Sequence, residues 1–172
     1  MRHALIPILL LFLLAFEGVA IELLPAAVKF SDVYLVPQWL LMFLILLTTF
    51  SYTKYPIIPI IYGALFGLMT DIVYTSMLGV YMFVLGFTVY IAQLLNRMLQ
   101  NNLVMMLVIA TCCLFVLETS LVMIYSFLGI STMPFGQFII YRFLPSWIAN
   151  LIFFLVIYHP TRKLLAWIDV KK

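Results

Sequence analysis

The sequence predicts an all-α integral membrane protein with six transmembrane helices. Of its 172 residues, 67% are hydrophobic and only 9% are charged, and the mean hydropathy is +1.24. A chain of this composition has too little polar surface to cover a water-soluble fold. Its apolar residues form long blocks near the ~20 residues that a membrane-crossing helix needs. They do not show the roughly ten-residue alternation typical of an outer-membrane barrel.

Six apolar blocks define the predicted spans, at residues 4–24, 37–52, 56–73, 77–95, 103–126 and 138–158. Lys54, Tyr55 and Pro56 form a turn between the second and third spans, because proline interrupts a helix. Reading through this turn would give five spans instead. Residues 1–158 are therefore predicted to form one transmembrane domain. Residues 159–172 form a basic tail whose alternating apolar and basic residues fit an interfacial helix.

The first block has a second interpretation, a cleavable signal peptide. Arg2 precedes an apolar run, and the small residues 18–20 would suit a cleavage site. Glu17 just before the small residues, and the apolar residues that continue after them, favour a retained membrane helix. Sequencing of the mature N-terminus separates the two, because cleavage would leave a chain that begins at Ile21.

Basic residues are distributed unevenly between the two sides of the predicted bundle. The loops on one side hold only Lys29, whereas seven basic residues lie with the termini and with the second and fourth loops. These seven are Arg2, Lys54, Arg97, Arg162, Lys163, Lys171 and Lys172. Because basic residues accumulate on the cytoplasmic side of membrane proteins, we expect a multi-pass membrane protein with both termini in the cytoplasm.

Gly63, Gly67 and Asp71 stand four residues apart in the third span. Positions i, i+4 and i+8 form one nearly straight stripe on a helix, so the two glycines open a flat surface that leads to the carboxylate. Small residues let membrane helices approach closely, and an ionisable group inside the bilayer costs roughly 2.5–3.5 kcal/mol. The stripe predicts a helix-docking face for a partner. The alternative is a packing motif that ends in an acid at the membrane edge.

Four charged residues are predicted to form a polar cluster in the outer half of the membrane: Glu17, Asp71, Glu118 and Arg142. A charge in lipid is tolerated when it is paired or hydrated. Arg142 is therefore expected to pair with Glu118 first and with Asp71 second. The alternative is that Asp71 and Arg142 only extend toward the lipid headgroups.

The sequence contains no pattern of a catalytic or metal site. Cys112 and Cys113 are adjacent, which is unsuited to an ordinary disulfide. His3 and His159 lie far apart with no second ligand at metal spacing, and no nucleophile has a nearby base. We therefore expect no enzyme activity, no metal and no cofactor.

The tail from His159 onward places basic residues beside apolar ones. The basic residues are Arg162, Lys163, Lys171 and Lys172, and the apolar ones include Leu164, Leu165, Trp167 and Ile168. Such a segment lies at the membrane surface and attracts anionic lipid. A cytoplasmic protein partner is the alternative ligand of the tail.

These features together resemble the MreD family, the small membrane subunit of the bacterial rod-shape machinery, in its bacillar form. The resemblance runs through most of the chain. It is most specific at Gly63-x-x-x-Gly67-x-x-x-Asp71 with Gly79 following, and at the segment from Arg142 through Pro145 to Asn150. The chain length and the short basic tail agree with it.

The resemblance implies a noncatalytic membrane scaffold of the cell-elongation (rod) complex, which supports lateral peptidoglycan synthesis and cell shape. It implies a bundle similar to the substrate-binding subunits of energy-coupling-factor transporters. It also implies partners: a bitopic MreC-like protein, MreB, RodA and its transpeptidase partner, and membrane lipids, but no nucleic acid. On this reading Gly63, Gly67 and Asp71 would dock the MreC membrane helix or another partner.

Two other function classes use the same helices. A solute-binding subunit of a membrane transporter would have an outward cavity lined by the four charged residues, because convergent polar groups mark small-molecule sites. A filled core favours a protein partner instead. A polyisoprenoid-lipid flippase or an ion carrier needs a polar path through both leaflets, and the inner halves of the spans offer few charges for one.

Overall fold

The computed structural model describes residues 5–22, 34–50, 57–98, 102–130 and 134–169, and the regular structure in them is helical throughout. Five helices are α1 (Leu5–Glu22), α2 (Trp39–Phe50), α3 (Ile57–Tyr74), α4 (Val80–Met98) and α5 (Leu103–Phe127). The sixth helical stretch, α6, consists of a turn at Phe135–Gln137, a π-helix at Phe138–Phe143 and an α-helix at Leu144–Asp169. The predicted all-helical class is confirmed for the described residues.

Four of these stretches are long and apolar enough to cross a membrane: Ile57–Tyr74, Val80–Met98, Leu103–Phe127 and Phe135–Ile168. Two apolar helices are shorter, at Leu5–Ala20 and Trp39–Phe50. Each of the six predicted spans corresponds to one helical stretch. The turn around Lys54, which separates the second and third spans, lies outside the described residues.

Helix α2 is short and central. Its 12 residues rise about 18 Å, against the ~30 Å of the hydrocarbon core. Residues 40–49 are all buried. The helix carries apolar side chains on every side, as expected of a helix inside a bundle. The chain enters α2 through a non-helical segment, residues 34–38, in which Pro37 and Gln38 are buried. Irregular backbone is therefore packed inside the protein, next to apolar helices.

Helices α3 and α4 form the most extensive helix pair of the fold. A short turn at residues 75–79 joins them. Gly79 in that turn has a φ of +96°, a conformation that glycine adopts without steric cost. The chain therefore reverses direction tightly enough to place α4 directly against the face of α3 that carries Gly63 and Gly67.

Helix α6 is irregular where it begins. Pro145 has no N–H, so it cannot bond to a carbonyl in the preceding turn, and the residues just before it adopt a π-helix. The Tyr141 carbonyl, in that π-helix, accepts a hydrogen bond of 2.8 Å from the Tyr34 N–H. The break in α6 thus provides an anchor for the non-helical segment before α2.

The end of α6 differs from the predicted domain boundary at residue 158. The helix continues through Pro160 to Asp169, and Thr161, Leu165 and Ile168 are buried. The apolar face of the tail therefore packs against the bundle. Residues 159–169 thus extend the last helix, and the domain boundary at residue 158 and the interfacial position of the tail stay predictions.

Candidate functional site

Glu17 of α1 caps the N-terminus of α2. Its Oε1 accepts a hydrogen bond of 2.7 Å from the Leu40 N–H. The first N–H groups of a helix have no partner within the helix, and a carboxylate there also interacts favourably with the helix dipole. Glu17 is 9% exposed, so the cap lies inside the protein. The acid that favoured a retained first helix thus supports the start of the second.

Two side chains of α6 hold the segment 34–38 by its backbone. Ser146 Oγ accepts from the Val36 N–H at 2.9 Å and donates to the Tyr34 carbonyl at 3.2 Å. Asn150 Oδ1 accepts from the Gln38 N–H at 2.7 Å, and its Nδ2 donates to the Val36 carbonyl at 2.9 Å. These bonds satisfy backbone groups that would otherwise be costly inside a membrane.

Arg142 forms an ion pair on the same face of α6. Its Nε lies 2.9 Å from Glu118 Oε2 on α5, and the Glu118 side chain is fully buried. Glu118 Oε1 accepts a second bond, 3.1 Å long, from Gln38 Nε2. Arg142, Ser146 and Asn150 stand four residues apart, and we call them the polar stripe of α6. The stripe and Glu118 together hold the segment 34–38 to α5 and α6.

Asp71 caps the N-terminus of α4. One of its carboxylate oxygens accepts from the N–H groups of Gly79 at 2.9 Å and Met82 at 3.1 Å. The other accepts from the Tyr81 N–H at 3.0 Å and from the Thr75 hydroxyl at 3.3 Å. Asp71 is 0% exposed. The carboxylate is thus enclosed by the turn that follows its own helix.

The glycine stripe of Gly63, Gly67 and Asp71 faces α4 of the same chain. A Cβ built on Gly67 would lie 2.6 Å from the Tyr81 carbonyl oxygen, and one built on Gly63 would lie 3.1 Å from Val89. The helix that sequence reasoning expected at this surface is therefore an internal one. Helix α4 follows α3 after a short turn and covers Gly63 and Gly67, which agrees with the alternative of a packing motif. Docking of a partner at Gly63, Gly67 and Asp71 stays a prediction.

The four charged residues predicted as one polar cluster are held by three separate sets of contacts. Glu118 and Arg142 pair with each other, as sequence reasoning expected. Glu17 and Asp71 each cap a different helix. Gln38 links two of these sets, since its side chain reaches Glu118 and it precedes the α2 turn that Glu17 caps.

A small cavity with several polar residues in its lining lies where these elements meet. It has a volume of about 190 Å³, and its lining includes Glu17, Gln38, Thr70, Tyr74 and Tyr81. Small-molecule sites usually have about 300–1,000 Å³. The cavity is thus smaller than a typical ligand pocket, and two of its polar lining residues are engaged in contacts described above, since Glu17 caps α2 and Gln38 bonds to Glu118.

Sequence reasoning missed Gln38, Ser146 and Gly18 as structural residues. A Cβ on Gly18 would collide with the Tyr74 side chain, whose hydroxyl donates to the Leu14 carbonyl at 2.9 Å.

The spacing of Arg142, Ser146 and Asn150 was a usable signal for the polar stripe, because it repeats the i, i+4, i+8 pattern. Gln38 had no such signal, since its partners lie far away in the sequence.

The basic residues of the tail are partly described. Arg162 and Lys163 are exposed, and the Arg162 guanidinium lies 6.0 Å from the centre of the Phe50 ring. That distance suits a cation–π contact. Lys171 and Lys172, predicted to contact lipid or a partner with them, lie outside the described residues.

Within the described ranges, no group of three or more His, Cys, Asp or Glu side chains could hold a metal ion. Cys112 is exposed and Cys113 is buried, and both are free thiols.

Comparison with known proteins identifies one family. The family model "rod shape-determining protein MreD" matches residues 2–168 of this chain. The Rod shape-determining protein MreD of Bacillus subtilis (strain 168) is 30% identical over 172 residues, which cover 100% of this chain and 97% of that protein. No solved structure matches the chain at a significant level.

Proposed function

Because this chain belongs to the MreD family of rod shape-determining membrane proteins, we propose that it is a noncatalytic scaffold of the cell-elongation complex. In this role it binds other membrane subunits and thereby supports lateral peptidoglycan synthesis. The partners are a bitopic MreC-like protein and, with it, MreB, RodA and the transpeptidase partner of RodA. Both termini lie in the cytoplasm, and all six helical stretches lie in the membrane.

The main support for the scaffold proposal is that the buried acids stabilise the fold. Asp71 and Glu17 cap helices, and Glu118 is paired with Arg142. A transporter subunit would instead need polar groups that converge on a ligand. The cavity beside these residues measures only about 190 Å³. The polar residues of this chain thus support a rigid fold that presents a fixed outer surface to partners.

The proposed topology rests on charge and on depth. Seven basic residues lie on one predicted side of the bundle. The ion pair and both caps lie toward the helix ends on the other side. The proposed bundle is similar to the substrate-binding subunits of energy-coupling-factor transporters, and α2 is its most completely buried helix among the described residues. Cysteine accessibility from each side of the membrane tests the orientation; a residue near Arg97 should react only from the cytoplasm.

The test of the scaffold is purification of the tagged protein in mild detergent, followed by identification of what is retained. Recovery of a single-span wall-synthesis protein supports the proposal. Recovery of a transporter ATPase would support the solute-binding alternative. A second arm expresses this chain in a rod-shaped bacterium depleted of its own relative, and cells that stay spherical would contradict the assigned role in shape.

A further inference from the structure

An apolar slot opens sideways between α1 and α6, and Phe43 of α2 also lines it. The slot has a volume of about 400 Å³. Its remaining lining residues are Leu9, Phe12 and Leu13 on α1, and Ile157, Pro160, Thr161 and Leu164 on α6. A second cavity of about 310 Å³ continues along the same seam, lined by Val156 of α6 and Ala20 of α1 among others. We call the first cavity the lateral slot.

The walls of the lateral slot suit a flexible hydrocarbon chain better than a helix. Helices associate in lipid where glycine, alanine, serine or threonine allow their backbones to approach. The slot is lined by Leu, Phe, Ile and Pro side chains, and among its lining residues only Thr161 belongs to that small group. Phe12, at the opening, is 63% exposed. Such walls keep a second backbone at a distance and leave a narrow apolar space between them.

Positive charge lies close to the lateral slot. Arg162 and Lys163 are exposed and stand in the sequence between two slot residues, Thr161 and Leu164. The Arg162 guanidinium lies 6.0 Å from the centre of the Phe50 ring, and Phe50 follows the slot residue Phe43 by about two turns of α2. Phosphate groups are attracted to basic residues beside a membrane. Apolar walls with two basic side chains beside them are complementary to a molecule with an acyl chain and an anionic head.

We propose that the lateral slot binds one anionic phospholipid, with an acyl chain between α1 and α6 and its phosphate at Arg162 and Lys163. In the orientation proposed above, this is a lipid of the cytoplasmic leaflet. The bound lipid fills the seam between the first and last helices, which otherwise meet through few side chains.

Native mass spectrometry of the purified protein tests this inference. The protein is mixed with phosphatidylglycerol or with phosphatidylcholine of the same acyl chains, and retained lipid is counted. We expect one phosphatidylglycerol to be retained preferentially. Arg162→Gln with Lys163→Gln should weaken that retention roughly thirtyfold and leave the weaker binding of phosphatidylcholine unchanged. Equal retention of the two lipids by the wild-type protein would overturn the proposal.

Arg97→Gln is the matched control, because Arg97 is also an exposed basic residue but belongs to the last turn of α4. It should leave phosphatidylglycerol retention intact, and an equal loss would show only general charge attraction. Leu9→Trp should block the slot and reduce retention of both lipids. Unchanged retention in a Leu9→Trp protein that elutes as a single peak would contradict the slot.

A photo-reactive amino acid in place of Phe12 identifies the occupant in cells. The proposal requires a lipid adduct at this position. A cross-link to a single-span membrane protein would overturn it and assign the seam to a partner helix.

Discussion

Two stripes with the same spacing stabilise different kinds of structure in this protein. On α3, the stripe of Gly63, Gly67 and Asp71 packs against a regular helix, α4. On α6, the polar stripe of Arg142, Ser146 and Asn150 holds a non-helical segment, residues 34–38. Glycine removes side-chain volume, so two backbones can approach, and helices already satisfy their own hydrogen bonds. The polar stripe supplies hydrogen-bond partners, which a segment without helical bonds requires inside a membrane. The difference shows that spacing locates a contact surface, and that side-chain chemistry selects what it binds.

The stripes also differ in how they use charge. Asp71 accepts four hydrogen bonds from its own neighbourhood in the chain, in the turn and at the start of α4. Arg142 instead reaches Glu118 on another helix. A local cap follows from the sequence around it, whereas the ion pair requires α5 and α6 to be in place. Five substitutions test this comparison.

The largest effect is expected for Arg142→Ala. It leaves the Glu118 carboxylate buried without its cation, and breaking such a pair costs about 3–5 kcal/mol. The measurement is thermal unfolding in detergent, which is monitored as the loss of the monodisperse elution peak. Arg142→Ala with Glu118→Gln should recover part of the stability, because the uncompensated charge is removed and Gln38 keeps an acceptor. A double variant as unstable as the single one would deny the importance of the pair.

Asp71→Asn should be the next most damaging change. One amide oxygen replaces a carboxylate that accepts three backbone N–H bonds, and the favourable charge at the α4 N-terminus is lost. We expect a loss of about 3 kcal/mol and higher protease sensitivity in the turn at residues 75–79. Asp169→Asn is the control for a loss of negative charge elsewhere. Wild-type stability of Asp71→Asn would mean that the cap contributes little.

Gly67→Ala tests whether close approach defines the α3 stripe. The new Cβ would lie 2.6 Å from the Tyr81 carbonyl oxygen and 2.8 Å from the Met82 Cα, so α4 must shift, at about 1–3 kcal/mol. Gly86→Ala introduces the same methyl group across the same interface. Its Cβ would meet Ala64 at an ordinary 3.5 Å. Equal melting temperatures for the two variants would contradict the assignment of Gly67 to tight packing.

The smallest effects are expected on the α6 stripe outside the ion pair. Asn150→Ala removes two bonds to the segment 34–38, and Ser146→Ala removes two weaker or longer ones. Interhelical hydrogen bonds in membranes average about 0.6 kcal/mol each, so each change should cost roughly 1 kcal/mol. Hydrogen exchange at Val36 and Gln38 is the sharper measurement. Protection should fall at Gln38 in Asn150→Ala and at Val36 in Ser146→Ala, and the reverse pattern would show that the bonds are assigned wrongly.

The spans show how far sequence reasoning reached. Residues 103–126 were predicted and α5 occupies Leu103–Phe127, because a long apolar block in lipid has helix as its low-energy backbone state. The end of the sixth span was placed near residue 158 because polar residues begin there. The helix continues to Asp169, since Leu165 and Ile168 find the core on one face. Local polarity indicated where the apolar block ends, but contact with the bundle decided where the helix ends.

The sequence by itself determined the helical class, the approximate spans, the four-residue stripes and the identity of the charged residues. These follow from hydropathy and from helical periodicity, which are local properties of the chain. Only the tertiary structure decided that α4 covers Gly63 and Gly67, that Glu17 caps α2 and that Asn150 holds residues 36 and 38. A stripe specifies a surface but not its occupant, because the occupant depends on which helices the loops and the core bring together.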